Sequence, residues 1–354
     1  MDKFYRILDA NLNRISEGIR VLEDCARFYY NDAVLSEELK KLRHTVRKKT
    51  ENYFSRCIFE RDSWNDIGLH LSKKLDIDYK RNIHELLTAN FKRVQEGLRT
   101  AEEVLKVTGD NILSREFEGI RYQSYSLEKE FSNKAKNIFK KEKLDTELYC
   151  ITAEQHSNGR DNLEVVREMI DSGIKIIQYR EKDKSISEKY KQCKKIRDIT
   201  ADGGVTFIVN DHIDIALSVG ADGVHLGQDD MPIEKARELT GEDMIIGVST
   251  HSPDQAQAAV KGGADYIGVG PIFKTFTKKD VCDPVGFEYL EYVVENIDIP
   301  FVAIGGIKLH NLYEVIKRGA GCIAMVTEIT AAENIGKMIE NIRSILRGEN
   351  TNEL

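Results

Sequence analysis

Cations, carboxylates and paired glycines recur at one position in the second half of this sequence, directly after short apolar and β-branched runs. Gln178, Tyr179, Arg180, Glu181 and Lys182 close or follow the run 174–179, and Asn210 and Asp211 follow 205–209. Gly227-Gln228-Asp229-Asp230 comes after 223–226, and Ser249-Thr250-His251 after 244–248. The run 266–269 leads into Gly270-Pro271 and then Lys274-Thr275-Phe276-Thr277-Lys278-Lys279. Gly305-Gly306 follows 300–304, and Val326-Thr327 lies at the end of 322–326. Arg180, Lys182, Lys278 and Lys279 supply positive charge of the kind a diphosphate requires. Asp211 and Asp230 suit one Mg²⁺, held through carboxylate oxygens while the metal also binds substrate phosphates. Backbone N–H groups at Gly305-Gly306 and Val326-Thr327 suit a separate monophosphate. Two phosphate sites imply two phosphorylated substrates and a transferase with pyrophosphate as leaving group. No obvious Ser-His-Asp or Cys-His set accompanies them.

Each residue alone has an ordinary explanation. A lone Asp at a strand end more often caps a helix than binds a metal, and Gly-Gly is usually a turn. Lysines 274–279 read equally as a solvated loop, and His251 as a residue that orients its neighbours. Their weight comes from sharing one end of one fold. Eight apolar runs (148–152, 174–179, 205–209, 223–226, 244–248, 266–269, 300–304 and 322–326) are each followed by helical spacing, as at 162–170 and 253–260. This pattern predicts an α/β fold, a TIM (β/α)8 barrel whose chemistry sits at the C-terminal strand ends. An open doubly wound sheet is the alternative, but its G-x-G-x-x-G turn after the first strand is missing. The long polar loop 274–284 is expected to act as a lid over the diphosphate.

The first region follows a different grammar. Residues 1–135 read as helix, with few glycines and no proline. They contain an internal repeat: Ala-Asn-x-x-Arg-x-x-Glu-Gly-x-Arg begins at Ala10 and returns at Ala89. Leu35-Ser36-Glu37-Glu38 with Arg43 is echoed by Leu113-Ser114-Arg115-Glu116 with Arg121. Two helical hairpins related by a pseudo-twofold are expected. Leu8, Leu12, Ile15, Ile19, Leu22 and Ala26 form one apolar stripe, with Glu17, Arg20 and Asp24 opposite. A solvated face with ion pairs one turn apart explains such charges in general. Yet Arg14, Glu17 and Arg20 recur as Arg93, Glu96 and Arg99, and Gly18 recurs as Gly97 at a cost of about 1 kcal/mol each relative to alanine. These six charged residues are the candidate site of a first, all-helical domain over 1–135. The join, 134–147, is expected to be a lysine-rich helix end or linker (the linker proper at 136–147), with the barrel at 148–347 and a frayed end at 348–354.

A chain of 354 residues exceeds the size at which one core keeps growing, consistent with two domains. A composition of 41% hydrophobic and 31% charged residues is that of an ordinary globular protein. The formal charge of -7 argues against general nucleic-acid binding. Six scattered cysteines show no C-x-x-C pair or metal spacing, and Cys150 and Cys322 read as small buried thiols. With neither a signal-peptide core nor a membrane-length apolar run, a cytoplasmic protein without a membrane partner is expected.

As a set, 178–182, Val209-Asn210-Asp211, 223–230, Gly247-Val248-Ser249, Gly268-Val269-Gly270-Pro271, 275–278 and 304–307 resemble the thiamine phosphate synthase family in order and spacing, over residues 148–342. The family joins 4-amino-5-hydroxymethyl-2-methylpyrimidine diphosphate to a hydroxyethyl-methylthiazole phosphate, or its carboxylated form, and releases pyrophosphate. The resemblance implies that Arg180, Lys182 and Lys278 grip the diphosphate, that Asp211 and Asp230 hold Mg²⁺, and that Gln178 and Asn210 seat the pyrimidine. It places Ser249 against the diphosphate or the reacting pyrimidine, and makes Arg180, Lys182, Ser249 and Lys278 the catalytic set. Thr275, Thr277, Gly306, Val326 and Thr327 would seat the thiazole phosphate, and Tyr179, Glu181 and Phe276 belong to the same motifs. Thr327 stands where serine is common, which keeps the hydroxyl. A related thiazole tautomerase barrel is the alternative, but it generally lacks the aspartate pair and the Thr-x-Thr-Lys motif present here. Residues 9–24 and 61–68 resemble a helical domain fused ahead of such synthases and proposed to be a hydroxymethylpyrimidine phosphate kinase, with ATP as co-substrate. No P-loop or kinase glycine-rich loop accompanies it, so a non-enzymatic interaction module is the competing reading. Oligomeric state, a homo-oligomer included, is left open by the sequence.

Overall fold

The computed structural model describes residues 2–62, 80, 83–275 and 282–348. The chain divides into two compact units, Met1–Asn137 and Ile138–Leu354.

In the first unit, helices Asp2–Asp24 and Ala33–Lys49 form one hairpin. Helix Ile83–Thr108 and the start of Asn111–Leu144 form the second. Equivalent aspartates start the second helix of each. Asp32 accepts from the N–H groups of Val34 and Leu35 at 2.9 and 3.0 Å, and Asp110 from that of Leu113 at 3.0 Å. Such caps satisfy donors that a helix start leaves without partners. The expected stripe is buried at Leu8, Ile15, Ile19, Leu22 and Ala26, with Leu12 partly buried beside it. The two long repeat helices cross where the glycines recur. A Cβ on Gly18 would lie 2.8 Å from Val94 Cγ2, and one on Gly97 would lie 2.8 Å from Ile15 Cγ1. The nearest backbone oxygens are those of Asn90 and Asn11, which is again the repeat relation.

In the second unit, eight parallel strands run in the order β1 to β8: Cys150–Ile151, Ile176–Tyr179, Thr206–Asn210, Gly223–Leu226, Ile245–Thr250, Tyr266–Val269, Phe301–Ile304 and Ile323–Ala324. A parallel bridge from Leu148 to Ile323 joins the ends of the series, with Tyr149 N–H donating to Ile323 O at 2.9 Å. Alternation along the strands makes two apolar layers. Ile177, Tyr179, Phe207 and Val209 pack outward against the helices, while Ile176, Ile208, Ile245 and Tyr266 fill the interior. Gly247 leaves room for the Tyr266 ring, since a Cβ there would sit 2.1 Å from Cζ.

Two expected boundaries are corrected. The last strand stops at Ala324, and Val326 and Thr327 open a short helix, Val326–Thr330. Of the helix end or linker expected at 136–147, the helix is what forms, running to Leu144. Its lysines are not solvated decoration: Lys140 pairs with Asp265 at 3.0 Å, and Lys143 pairs with Asp222. Asp265 also accepts from Arg237 at 2.7 Å and Ile246 N–H at 2.8 Å, and Asp222 from Arg197 and Phe207 N–H, both at 2.9 Å. These carboxylates stand just before β6 and β4, at the end of the barrel opposite the expected chemistry, where charge serves stability.

A methyl at Gly18 or Gly97 should lower the unfolding free energy by about 1–3 kcal/mol through overpacking. Alanine at Gly119, whose Cβ would meet nothing beyond its own helix within 4 Å, should raise it by about 0.5–1 kcal/mol. Circular dichroism during urea unfolding measures each change. Similar losses at all three glycines would contradict the crossing.

Candidate functional site

The strand ends of the barrel bring most of the expected charges together. Lys182 Nζ lies 2.6 Å from Asp211 Oδ2. Asp211 has φ 62, a conformation rare for residues other than glycine, and its N–H donates to His225 O at 2.9 Å. The turn aims its carboxylate at that of Asp230, close enough for the two to share a hydrogen bond. Asp230 Oδ2 also accepts from Gly227 N–H at 2.7 Å. Burial raises Asp211, but hydrogen bonds from Lys182 and Asp230 outweigh it and hold the carboxyl below the ordinary value. Burial raises Asp230, its Gly227 bond opposes that, and the negative neighbour Asp211 adds to the rise. Two like charges placed this close favour a proton or a cation between them. Burial pushes the Arg180 guanidinium down, opposed by Asp211 and Glu181, so the arginine lies in reach of the same negative field.

Gln178 and Asn210 are buried at this end, and Ser249 is half-buried with its hydroxyl 2.9 Å from His225 Nε2. Tyr179 and Glu181 are turned elsewhere. The Tyr179 hydroxyl donates to Gln192 at 2.8 Å, in the outer layer. Glu181 accepts from Glu154 N–H at 3.0 Å and Asn162 Nδ2 at 2.8 Å. Their place in the motif reflects framing of the loop after β2. His251 donates through Nδ1–H to Gly270 O, tying the ends of β5 and β6.

Around β7 and β8, Gly305 and Gly306 have φ 99 and 66. A Cβ on Gly306 would lie 2.6 Å from Lys274 O, so the two loops touch along their backbones. Thr327 Oγ1 accepts from Lys308 Nζ at 3.1 Å, and Lys308 also pairs with Glu328 at 2.6 Å. Thr275 is half-buried at the end of the β6 loop. Phe276, Thr277 and Lys278, with the rest of the expected lid to Val281, lie outside the described residues.

Sequence reasoning passed over Lys308, Tyr149, Tyr266 and His225. Lys308 was hidden behind the glycine pair. The other three occupy or adjoin inward strand positions, where a polar side chain in an apolar run is itself a signal. Among the described residues no group of three or more His, Cys, Asp or Glu is arranged to hold a metal. No described helix is long and apolar enough to cross a membrane.

In the first unit the six repeated charges divide into two kinds. Arg20 bonds Glu23 at 3.4 Å and Asp24 at 3.1 Å, and Arg99 bonds Glu102 at 3.0 Å and Glu103 at 2.9 Å. Glu23 and Glu102 are buried and also receive Arg43 at 2.8 Å and Arg121 at 2.6 Å. This twice-built cluster links the helices of each hairpin. Arg14, Glu17, Arg93 and Glu96 are exposed, and their side chains make no hydrogen bond or ion pair among the described residues. The Arg93 side chain passes near Gly18, beside the helix crossing. Arg121→Ala, which strips a buried carboxylate of its main partner, should cost about 3 kcal/mol, whereas Arg14→Ala should stay within about 0.5 kcal/mol. Urea unfolding compares them, and equal values would erase the distinction.

A thiamine monophosphate synthase family profile matches residues 148–329, and a ThiD2 family profile matches residues 6–130. The thiamine-phosphate synthase of Pelotomaculum thermopropionicum is 64% identical over 203 residues, which cover 57% of this chain and 93% of that protein. The thiamine-phosphate synthase of Thermosynechococcus vestitus is 40% identical over 346 residues, 97% of this chain and 95% of that protein. Among solved structures, thiamine phosphate pyrophosphorylase from Pyrococcus furiosus aligns with a TM-score of 0.53 and 40% identity, covering 58% of this chain and 97% of that one.

Proposed function

The chain belongs to the thiamine monophosphate synthase family, and from that premise we propose how its two units work. The barrel joins the aminopyrimidine diphosphate to the thiazole phosphate by a dissociative route. The observation that carries this reading is the cluster of Arg180, Lys182, Asp211 and Asp230 on one rim, with Gly306, Lys308 and Thr327 at the ends of the strands that complete it. Arg180 and Lys182, joined by Lys278, neutralise charge that grows on the departing diphosphate. Such electrostatic stabilisation is strongest when the donors are fixed before the reaction. The electron-rich aminopyrimidine spreads the positive charge left behind until the thiazole nitrogen attacks. No protein nucleophile is required, and positioning supplies the remainder. Gln178, Asn210 and Ser249 seat the pyrimidine, and Thr275, Thr277, Gly306, Val326 and Thr327 seat the thiazole phosphate.

The paired carboxylates fit a divalent cation, because Asp230 already holds a proton more tightly than a free carboxyl does. Mg²⁺ held by Asp211 and Asp230 would supply further charge to the diphosphate oxygens. Lys182, beside Asp211, is placed to grip the same phosphate oxygens. Asp230→Asn should lower turnover by roughly a hundredfold or more, on the scale of losing a key electrostatic group, and raise the Mg²⁺ concentration needed for half-maximal rate. Circular dichroism should show the barrel intact. Ordinary activity at limiting Mg²⁺ would remove the metal from this pair.

For the first unit the proposed activity is phosphorylation of the pyrimidine monophosphate by ATP, the step that makes the barrel's substrate. Its support is the ThiD2 match and the twice-repeated charges of Arg14, Glu17, Arg20, Arg93, Glu96 and Arg99. Arg14 and Arg93 are the cations whose side chains no folding contact explains. Arg14→Ala with Arg93→Ala should cut thiamine phosphate formation from monophosphate and ATP at least tenfold, while formation from the ready-made diphosphate stays unchanged. A wild-type chain that never uses the monophosphate would leave an interaction module in place of a kinase.

A further inference from the structure

Inside the barrel a line of polar side chains runs between two strand ends that lie apart in the sheet. Gln178 on β2 donates from Nε2 to the Tyr149 hydroxyl at 3.0 Å. Tyr149 meets the Tyr266 hydroxyl of β6 at 2.7 Å. Tyr266 meets Nδ1 of His225 on β4 at 2.9 Å, and His225 Nε2 meets the hydroxyl of Ser249 on β5 at 2.9 Å. Tyr149, Gln178 and Tyr266 are buried. The rings of Tyr149 and Tyr266, and of Tyr266 and His225, stand 5.7 and 5.5 Å apart and wedge one another in place. Gly247 and Gly268 leave the room they need: a Cβ at Gly268 would come within 3.4 Å of His225 Cε1.

The direction of this line follows from donor and acceptor inventory. An amide nitrogen only donates, and each tyrosine hydroxyl carries one proton. A hydroxyl can accept twice, but a buried proton needs an acceptor: with Gln178 Nε2 donating to Tyr149, the oxygen left to take the Tyr149 proton is that of Tyr266, and the Tyr266 proton then goes to His225 Nδ1. A neutral imidazole that accepts at Nδ1 carries its proton on Nε2, so His225 donates to Ser249 Oγ. The Ser249 proton is then left to point at a ligand. At the other end, Gln178 keeps Oε1 as an acceptor. Burial pushes both tyrosine hydroxyls well above their usual range, which keeps their protons in place.

We propose that Tyr149, Tyr266 and His225 are positioning residues of a one-way hydrogen-bond chain that fixes Gln178 as an acceptor and Ser249 as a donor, and thereby selects a 4-aminopyrimidine over its 4-oxo form. The aminopyrimidine offers an exocyclic N–H and a ring nitrogen lone pair. The oxo form offers a carbonyl oxygen and a ring N–H, the reverse pattern. Without the chain, Ser249 would rotate and Gln178 would turn over to suit either. With it, accepting the wrong pattern requires five groups to reverse together. A site committed to hydrogen-bonding a ligand rejects the analogue that leaves its buried groups unpaired. The inference rests on the reading that Gln178 and Ser249 seat the pyrimidine.

The test uses the full chain, with Tyr266→Phe and Tyr149→Phe each removing one hydroxyl. Nitrogen-15 spectra of the imidazole rings, with the His225 signal assigned by its loss in His225→Gln, read the tautomer directly. The wild-type chain should show His225 protonated at Nε2 and bare at Nδ1, and Tyr266→Phe should disturb that state. Binding of the aminopyrimidine diphosphate and of its 4-oxo analogue, measured without the thiazole phosphate, should show preference for the amino form falling at least tenfold in either variant. The KM for the thiazole phosphate should not move. A wild-type His225 protonated at Nδ1, or an unchanged preference in both tyrosine variants, overturns the chain. Gln178→Ala and Ser249→Ala separate the two levels of failure. If those variants leave pyrimidine binding and turnover intact, the seating itself is wrong and the chain falls with it. If they impair both while the tyrosine variants do not, only the chain is wrong.

Discussion

Closing eight parallel strands forces every strand to end on the same rim, and the rest of the barrel follows from that constraint. Residues distant in sequence meet there without any loop having to reach far. Lys182, Asp211 and Asp230 come from the ends of β2, β3 and β4, yet they form one cluster. The same closure sends alternate residues inward, where there is room for only a few large side chains. Tyr266 occupies that space by lying across Gly247, so a glycine on one strand and an aromatic on the next are one packing decision. The opposite rim carries charge too, but there Asp222 and Asp265 are saturated by arginine, lysine and backbone N–H partners. Charge on one rim is satisfied internally. On the other, the neighbouring Asp211 and Asp230 carboxylates are held in tension.

That tension has a definite form. Asp211 adopts a left-handed backbone conformation that puts its carboxylate against Asp230, an arrangement unfavourable for folding taken by itself. Lys182 relieves part of it, but the lysine stands on a loop and can change partners. Strain of this kind persists where the surrounding structure over-determines it and a ligand gains from it. Lys308 shows the same logic near β8: it is paired with Glu328 while its ammonium touches Thr327, the hydroxyl expected at the second phosphate.

Much of this was legible in the residues. Gly223–Leu226 and Tyr266–Val269 are strands with the bounds their apolar runs suggested, because turn residues bracket both. Arg180, Asp211 and Asp230 come together at the strand ends, as the barrel pattern leads one to expect. The failures have physical causes. Val326 is β-branched and continues an apolar run, so it read as strand, but its residue opens a helix after the sheet has run out of partners. The lysines near 140 read only as a helix end or linker, because their carboxylate partners lie 79 and 125 positions away in sequence. Tyr149, His225 and Tyr266 meet through three different strands, and local periodicity carries no information about which inward residues touch.

In the first unit, recurrence has more than one physical cause. Arg20 and Arg99 recur, as do Arg14 and Arg93, and the sequence treats them alike. In the fold, the first pair is bound to buried Glu23 and Glu102, which also draw Arg43 and Arg121 from the neighbouring helices. Removing such a partner strands a buried charge, and that alone is enough to explain why the residue appears twice. The second pair gains nothing comparable from folding. Gly18 and Gly97 carry the same lesson in the other direction: a mid-helix glycine costs helix stability, and it is repeated because the helices approach too closely for a methyl group. Recurrence therefore identifies function only after the packing and the buried ion pairs have been subtracted. What remains in this unit is a small exposed set, Arg14, Glu17, Arg93 and Glu96, on the two helices that cross at the glycines.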